Sequence, residues 1–280
     1  MKEMWKLFNP QLLSRKNIFK LKQIKDKFSV NKSKKTECSS YKNYLLPRYG
    51  EEINYLNQKE LKCLHHLTKV LDRLEGKINI VYDIGANNGI WAEAFSLYTD
   101  SSIYAFEPLP KMIVELNKRH KRSPLIKVQP VACGSEQMRT EMNEEVNKIA
   151  ASSILEMSAV CKTEFSHSKL GESHHEIIEV VRLDEWVDEN NIPLPSLIKV
   201  DVQGYENNVI DGGVETFKNT KYVWVELCFK QLYVGGSTFQ TVYNKLNSLG
   251  FQLIDCIDIV RSKSNDQPIY MDGIFINQKK

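Results

Sequence analysis

No stretch of this 280-residue chain comes near the roughly 20 consecutive apolar residues that a membrane-spanning helix needs. No apolar core follows the basic start as it would in a secretory leader, so a cytoplasmic protein is expected. Cysteine is sparse and scattered: Cys38, Cys63, Cys133, Cys161, Cys228 and Cys256 form no Cys-x-x-Cys pair. That pattern excludes a zinc ribbon or a dithiol redox motif, and several of the six read as reduced thiols in apolar stretches. Of the six histidines, the adjacent pair His65-His66 is the one to weigh as a metal site. His65 and His66 are adjacent on a helical segment and so point to different sides, and a second ligand on either face is missing; no metal is expected.

What is present is organised around Ile80-Val81-Tyr82-Asp83-Ile84-Gly85-Ala86-Asn87-Asn88-Gly89-Ile90-Trp91. A short apolar strand ends in an acid, passes through a small-residue loop and enters a helix. Such a loop brings backbone close to a ligand, and the helix start offers unpaired N–H groups. The dinucleotide fingerprint Gly-x-Gly-x-x-Gly fails here, because Asn87 stands at its second glycine and Ile90 at its third. An acid beside a pyrophosphate repels it, whereas Asp83 suits a ligand carrying an ammonium and a sulfonium: S-adenosylmethionine. The run Tyr104-Ala105-Phe106-Glu107-Pro108 places a second strand-end acid 18 residues past Gly89, within reach of both hydroxyls of a ribose.

The net charge of +3 hides an asymmetry, since residues 1–48 hold 13 lysines and arginines against 3 acids. Trp5, Phe8, Leu12, Ile18, Leu21 and Phe28 recur among them at helical spacing. Residues 1–30 could lie on an anionic membrane surface, or the whole could be a solvated arm. The domain boundaries expected are 1–48 for this extension and linker and 49–280 for the rest. Leu61, Leu64, Leu67, Leu71 and Leu74 mark a helix face from Gln58 onward. Strands are expected at 126–134 and 177–181, with Asp184 as the N-cap of a short helix. Between them, 135–176 reads as a functional loop or lid containing Ser152-Ser153. Further on, Leu197–Val200 is a buried-type strand ending at Asp201, and Tyr222–Leu227 is another. Phe251–Val260 and Ile269–Ile276 form a terminal hairpin pair. The expected architecture is α/β, a mostly parallel sheet finished by an antiparallel strand. The strand ending at Asp201 should lie beside the one ending at Asp83.

Together with Phe106-Glu107-Pro108, Val131-Ala132-Cys133-Gly134, Ser152-Ser153, Ile198-Lys199-Val200-Asp201-Val202-Gln203-Gly204-Tyr205-Glu206 and Met271-Asp272-Gly273-Ile274-Phe275, the Asp83–Gly89 run resembles the FkbM family of S-adenosylmethionine-dependent methyltransferases. The resemblance spans roughly residues 78–277. It implies a class I methyltransferase (Rossmann-like) sheet and a cofactor site of Asp83, Ile84, Gly85, Ala86, Asn87, Gly89, Glu107, Pro108, Ala132, Ser153 and Asp201. It also implies O-methylation of a hydroxyl on a sugar, glycan or secondary metabolite. The family usually carries Glu where this chain has Gln203. Methyl transfer to oxygen needs a base, and Asp201 is the first candidate, followed by Glu206 and Glu226. His167, His174 and His175 fall in the long loop and could close over the site. Two other readings are a nucleic-acid methyltransferase using the basic arm and a non-catalytic binding protein of the same fold. Against the former, the fourth strand lacks the Asn/Asp-Pro-Pro-aromatic signature that grips an exocyclic amine.

Overall fold

A computed structural model of the chain describes residues 40–168 and 170–280. Most of the basic extension, residues 1–39 with Cys38, lies outside them. The chain divides into two compact units at Lys69/Val70. In the first, a helix through 40–49 (α1) and α2 (Gln58–Leu71), which continues into the second unit, are joined by a short 3-10 turn. The Tyr49 hydroxyl meets Thr68 Oγ1 at 2.7 Å, and His65 packs against the rings of Tyr41 and Tyr44. His65 is thus a packing residue, pushed below its ordinary pKa by burial and by Lys69.

The second unit is built on a seven-stranded sheet. Its elements are β1 (Val81–Ile84), α3 (Ile90–Tyr98), β2 (Ile103–Phe106), α4 (Pro110–Arg122) and β3 (Ile126–Gln129), then, after an insertion, β7 (Leu197–Val200), α7 (Glu206–Gly212), α8 (Val214–Lys218), β8 (Tyr222–Cys228), α9 (Phe239–Leu249), β9 (Phe251–Arg261) and β10 (Pro268–Asn277). The spatial order is β3-β2-β1-β7-β8-β10-β9, with β10 antiparallel to both neighbours. β7 lies beside β1, as the switch-point argument requires. Every residue of β1 and β7 is buried, as strands covered on both faces should be.

The insertion departs from expectation. Instead of a loop or lid, 135–176 contributes β5 (Met138–Glu145), α5 (Ala159–Glu164) and the start of β6 (Ser173–Arg182). With β4 (Ala132–Gly134) these strands make a second, three-stranded sheet in the order β4-β6-β5. His174 and His175 therefore sit on β6 and are fixed in a ladder. His167 falls in the turn Ser166–Ser168, its side chain outside the described set. Asp184 also differs. It lies inside the first turn of α6 (Leu183–Glu189), and its carboxylate accepts from the Glu215 and Thr216 N–H groups at 2.9 and 2.8 Å. It caps the start of α8 rather than its own helix.

Register sets up the site. Asp83 pairs with Lys199, and Lys199 with Trp224, so these three stand side by side on one face. Two residues further toward the carboxyl ends come Asp201 and Glu226, and Asp272 on β10 is the direct partner of Glu226. A lysine, a tryptophan and four acids thereby share one face of the sheet.

Candidate active site

The loop after β1 is held by its neighbours at every step. The Gly85 and Ala86 N–H groups both donate to the Phe106 carbonyl at 3.0 Å. The Asn87 N–H donates to Glu107 Oε2 at 2.8 Å, and the Leu109 N–H to Glu107 Oε1 at 2.9 Å. Gly85, at φ +82°, has no room for a side chain: a Cβ there would meet the Asp201 carbonyl oxygen at 2.0 Å. Behind the loop, Arg119 Nε donates to the Asn88 carbonyl at 2.6 Å. Glu93, buried on α3, holds both Arg119 and Arg122 of α4. This paired charge ties the start of α3 to α4 and so fixes the loop's exit.

Two acids of this cradle are perturbed. Asp83 is wholly buried and, among the described residues, neither carboxylate oxygen has a hydrogen-bond partner; the Ala92 N–H pulls on it without closing a bond. Burial raises its pKa to about 6, opposed by the nearby Lys199 charge. Burial likewise raises Glu107 to about 7, against the two N–H groups that favour its charge. An orphaned acid at the end of β1 and a second at the end of β2 fit S-adenosylmethionine: the first faces cationic groups, and the second has lone pairs left for ribose hydroxyls. Of the remaining expected contacts, Ile84 is buried at the end of β1 and Ala86 in the loop, Pro108 follows Glu107, Gly89 starts α3 at φ +76°, and Ala132 opens β4.

Next to the cradle is the carboxylate cluster. Lys199, 2 % exposed, places its Nζ 3.2 Å from Asp201 Oδ2 and over the Trp91 ring at 5.4 Å. Burial opposes that ammonium, yet the charges of Asp201, Asp83 and Asp272 together hold its pKa above the usual lysine range. Gln203 Nε2 donates to Asp201 Oδ1 at 2.7 Å and, more weakly, to Glu226 Oε2 at 3.4 Å. The Gln203 amide keeps its nitrogen toward the acids, because turned round its oxygen would face two carboxylates; on the other side Oε1 lies 2.9 Å from the Tyr233 hydroxyl, which also reaches the Ala151 carbonyl at 3.0 Å. Ser153 Oγ donates to the Gln203 carbonyl at 2.8 Å, pinning a backbone at φ +53°. The departure from the usual Glu thus leaves no gap. An amide supplies two protons between carboxylates where a third carboxylate would add repulsion.

Glu226 is raised well above its ordinary pKa, first by burial and then by the Asp201, Glu206 and Asp272 charges. The residue still opens partly to a cavity of about 180 Å³, whose floor it forms with Asp201 and Gln203. Lys148, Phe165 and Tyr270 are among the walls. A neighbouring cavity of about 280 Å³ shares Ala151 and Tyr233 with it. Glu206 is elsewhere engaged: fully buried, its Oε1 accepts from the Gly204 and Val202 N–H groups at 3.0 and 3.3 Å. It clamps the turn after Asp201 and is not among the residues lining the cavity.

Lys199, Tyr233 and Asp272 were not singled out from the sequence. Lys199 had a readable signal, since a lysine inside a four-residue buried strand needs acids around it. Tyr233 had none, lying in a stretch without periodicity between β8 and α9.

The family model described as Methyltransferase FkbM domain matches residues 83–253, more than half of the chain. The chain is 28% identical over 191 residues to the hexuronic acid methyltransferase AglP of Haloferax volcanii, covering 68% of this chain and 72% of that protein. It is 26% identical over 193 residues to the 2-O-methyltransferase NoeI of Sinorhizobium fredii, covering 66% and 77%. Among solved structures, Aeropyrum pernix fibrillarin with natively bound S-adenosyl-L-methionine superposes with a TM-score of 0.44 at 12% identity, covering 75% of this chain and 74% of that one. That likeness is too loose to bear on the reaction.

Proposed function

The chain belongs to the FkbM methyltransferase family, and from that premise we propose that it methylates a hydroxyl of a sugar or glycan, with Glu226 accepting the proton. S-adenosylmethionine, the cofactor of the family, supplies a methyl group already activated on a sulfonium. The chain's own residues must therefore hold the cofactor, align an acceptor oxygen and remove one proton. Asp83, the Gly85–Gly89 loop and Glu107 serve the first task. The reading is supported by the relatives' names: AglP is a hexuronic acid methyltransferase, which points to a sugar, and NoeI is a 2-O-methyltransferase, which points to a hydroxyl.

One observation carries the assignment of the base. Asp201 is held by donors on both oxygens, Lys199 on one and Gln203 on the other, whereas among the described residues Glu226 has only the long Gln203 contact and a distant Cys228 thiol at 3.9 Å. A carboxylate whose charge is held by an ammonium and an amide is a poorer proton acceptor, though it keeps lone pairs for a hydroxyl; one short of donors, with its pKa raised by burial, is a better one. Asp201 then orients the acceptor through its fixed carboxylate, and the Gln203 amide stays with its nitrogen toward both acids. Calorimetry with S-adenosylhomocysteine, followed by transfer of labelled methyl to a panel of simple glycosides, tests the reading. Binding of the cofactor product, with no methyl on any sugar and label found on nucleic acid instead, would refute it.

A further inference from the structure

The 180 Å³ cavity is electrically lopsided. Its floor holds Asp201 and Glu226, and on its wall stands Lys148, an exposed residue just before the 3-10 turn Ile149–Ala151. The Lys148 ammonium sits 5.6 Å over the Phe165 ring, which keeps it in place without neutralising it. Among the described residues no carboxylate pairs with it. Of the other lysines nearby, Lys199 is committed to Asp201 and Lys230 to Glu164 at 2.5 Å, while Lys162 lines the neighbouring cavity and not this one. The Phe165 and Tyr270 rings, 6.4 Å apart and tilted, offer apolar surface between the two charged ends.

An uncharged acceptor would leave this cation without a role, and an anionic one would be repelled by the acidic floor unless a cation on the wall took its charge. We propose that the acceptor sugar carries an anionic group, a carboxylate or a phosphate, which seats on Lys148 while the hydroxyl to be methylated faces Glu226. The proposal rests on the sugar reading above and adds the charge of the substrate to it. The sugar's C–H face lies on Phe165 and Tyr270, and its hydroxyls donate to the floor carboxylates, which is how such groups pair by their donor and acceptor capacities. Lys148 acts as a specificity determinant and takes no part in the proton transfer.

The test uses the full chain loaded with S-adenosylhomocysteine and saturation-transfer difference NMR titrations of methyl β-D-glucuronide, glucose 1-phosphate and methyl β-D-glucoside. At least one anionic sugar should bind about tenfold tighter than the neutral glucoside, the size of one charge-assisted hydrogen bond. Lys148→Ala should remove that preference while leaving the glucoside unchanged, and Lys148→Arg should keep it. Whichever anion binds tighter tells carboxylate from phosphate. Equal binding of charged and neutral sugars, or a preference that survives Lys148→Ala, overturns the proposal alone. If no sugar of either kind binds or accepts methyl while S-adenosylhomocysteine does bind, the sugar reading itself falls and takes the proposal with it.

Discussion

Replacing Asp201 by Asn separates the two carboxylates of the cavity floor. Because one nitrogen, Gln203 Nε2, lies 2.7 Å from Asp201 Oδ1 and 3.4 Å from Glu226 Oε2, the two oxygens are within about 6 Å of each other. At an effective dielectric of ~20, unit charges at that distance repel by about 3 kcal/mol, roughly two pH units. Asp201 is the largest charge raising Glu226, after burial itself. A base must be ionised to act, so the acid limb of the rate profile sits at the raised pKa of Glu226, and activity grows as pH climbs through it. Removing the Asp201 charge lowers that pKa. The expected outcome is an acid limb displaced downward by one to two pH units, about the size of the repulsion, with S-adenosylhomocysteine affinity little changed. The assay is kcat against pH on the best acceptor. Loss of about 10²-fold or more at every pH, with no displaced limb, would show that Asp201 is the base and that Glu226 is not.

Three further outcomes are expected. Glu107→Ala should weaken S-adenosylhomocysteine binding by at least about 1.5 kcal/mol through lost charge-assisted bonds; calorimetry showing an unchanged affinity would remove Glu107 from the site. Lys199→Met leaves Asp83, Asp201 and Asp272 without their shared cation, so it should cost about 3–5 kcal/mol at neutral pH by urea unfolding. The deficit should shrink as pH falls toward about 6, because Lys199 lowers the pKa of Asp83 and Asp272, and without it they take up protons above the value of about 6 that they have in the native protein. A loss below about 1 kcal/mol, or one independent of pH, contradicts the shared-cation account. Deleting residues 1–39 should leave cooperative unfolding and cofactor binding intact, since every site residue lies later, and should abolish any co-sedimentation with phosphatidylserine vesicles.

The cofactor half of the site was legible because its chemistry is local: an acid closing a strand, a glycine loop, and a second acid at a fixed interval. The buried strands announced themselves by short, mostly apolar runs, each of β1, β7 and β8 broken by one charged residue, and the position of β7 beside β1 followed from topology. The second sheet was hidden because β5 reads Met-Arg-Thr-Glu-Met-Asn-Glu-Glu and half of β6 is equally polar. Those strands are held by pairing to each other, and only a few positions such as Ile178 and Val180 reach a core. Asp184 was legible as a cap but not as whose cap, since α8 arrives beside it 30 residues later in the chain. Gln203 looked like a lost carboxylate in sequence. Only the positions of Asp201, Glu226 and Tyr233 around it turn the amide into the better choice.

The substrate cavity draws its floor and its walls from different parts of the chain. Asp201, Gln203 and Glu226 come from the ends of β7 and β8, while Lys148, Cys161, Phe165 and Leu170 all come from the single stretch between β5 and β6. A mutation or a transplanted segment in that stretch can redraw what the enzyme accepts without disturbing the strands that grip the methyl donor. Acceptor choice can therefore drift, or be engineered, one insertion at a time, while the reaction stays the same.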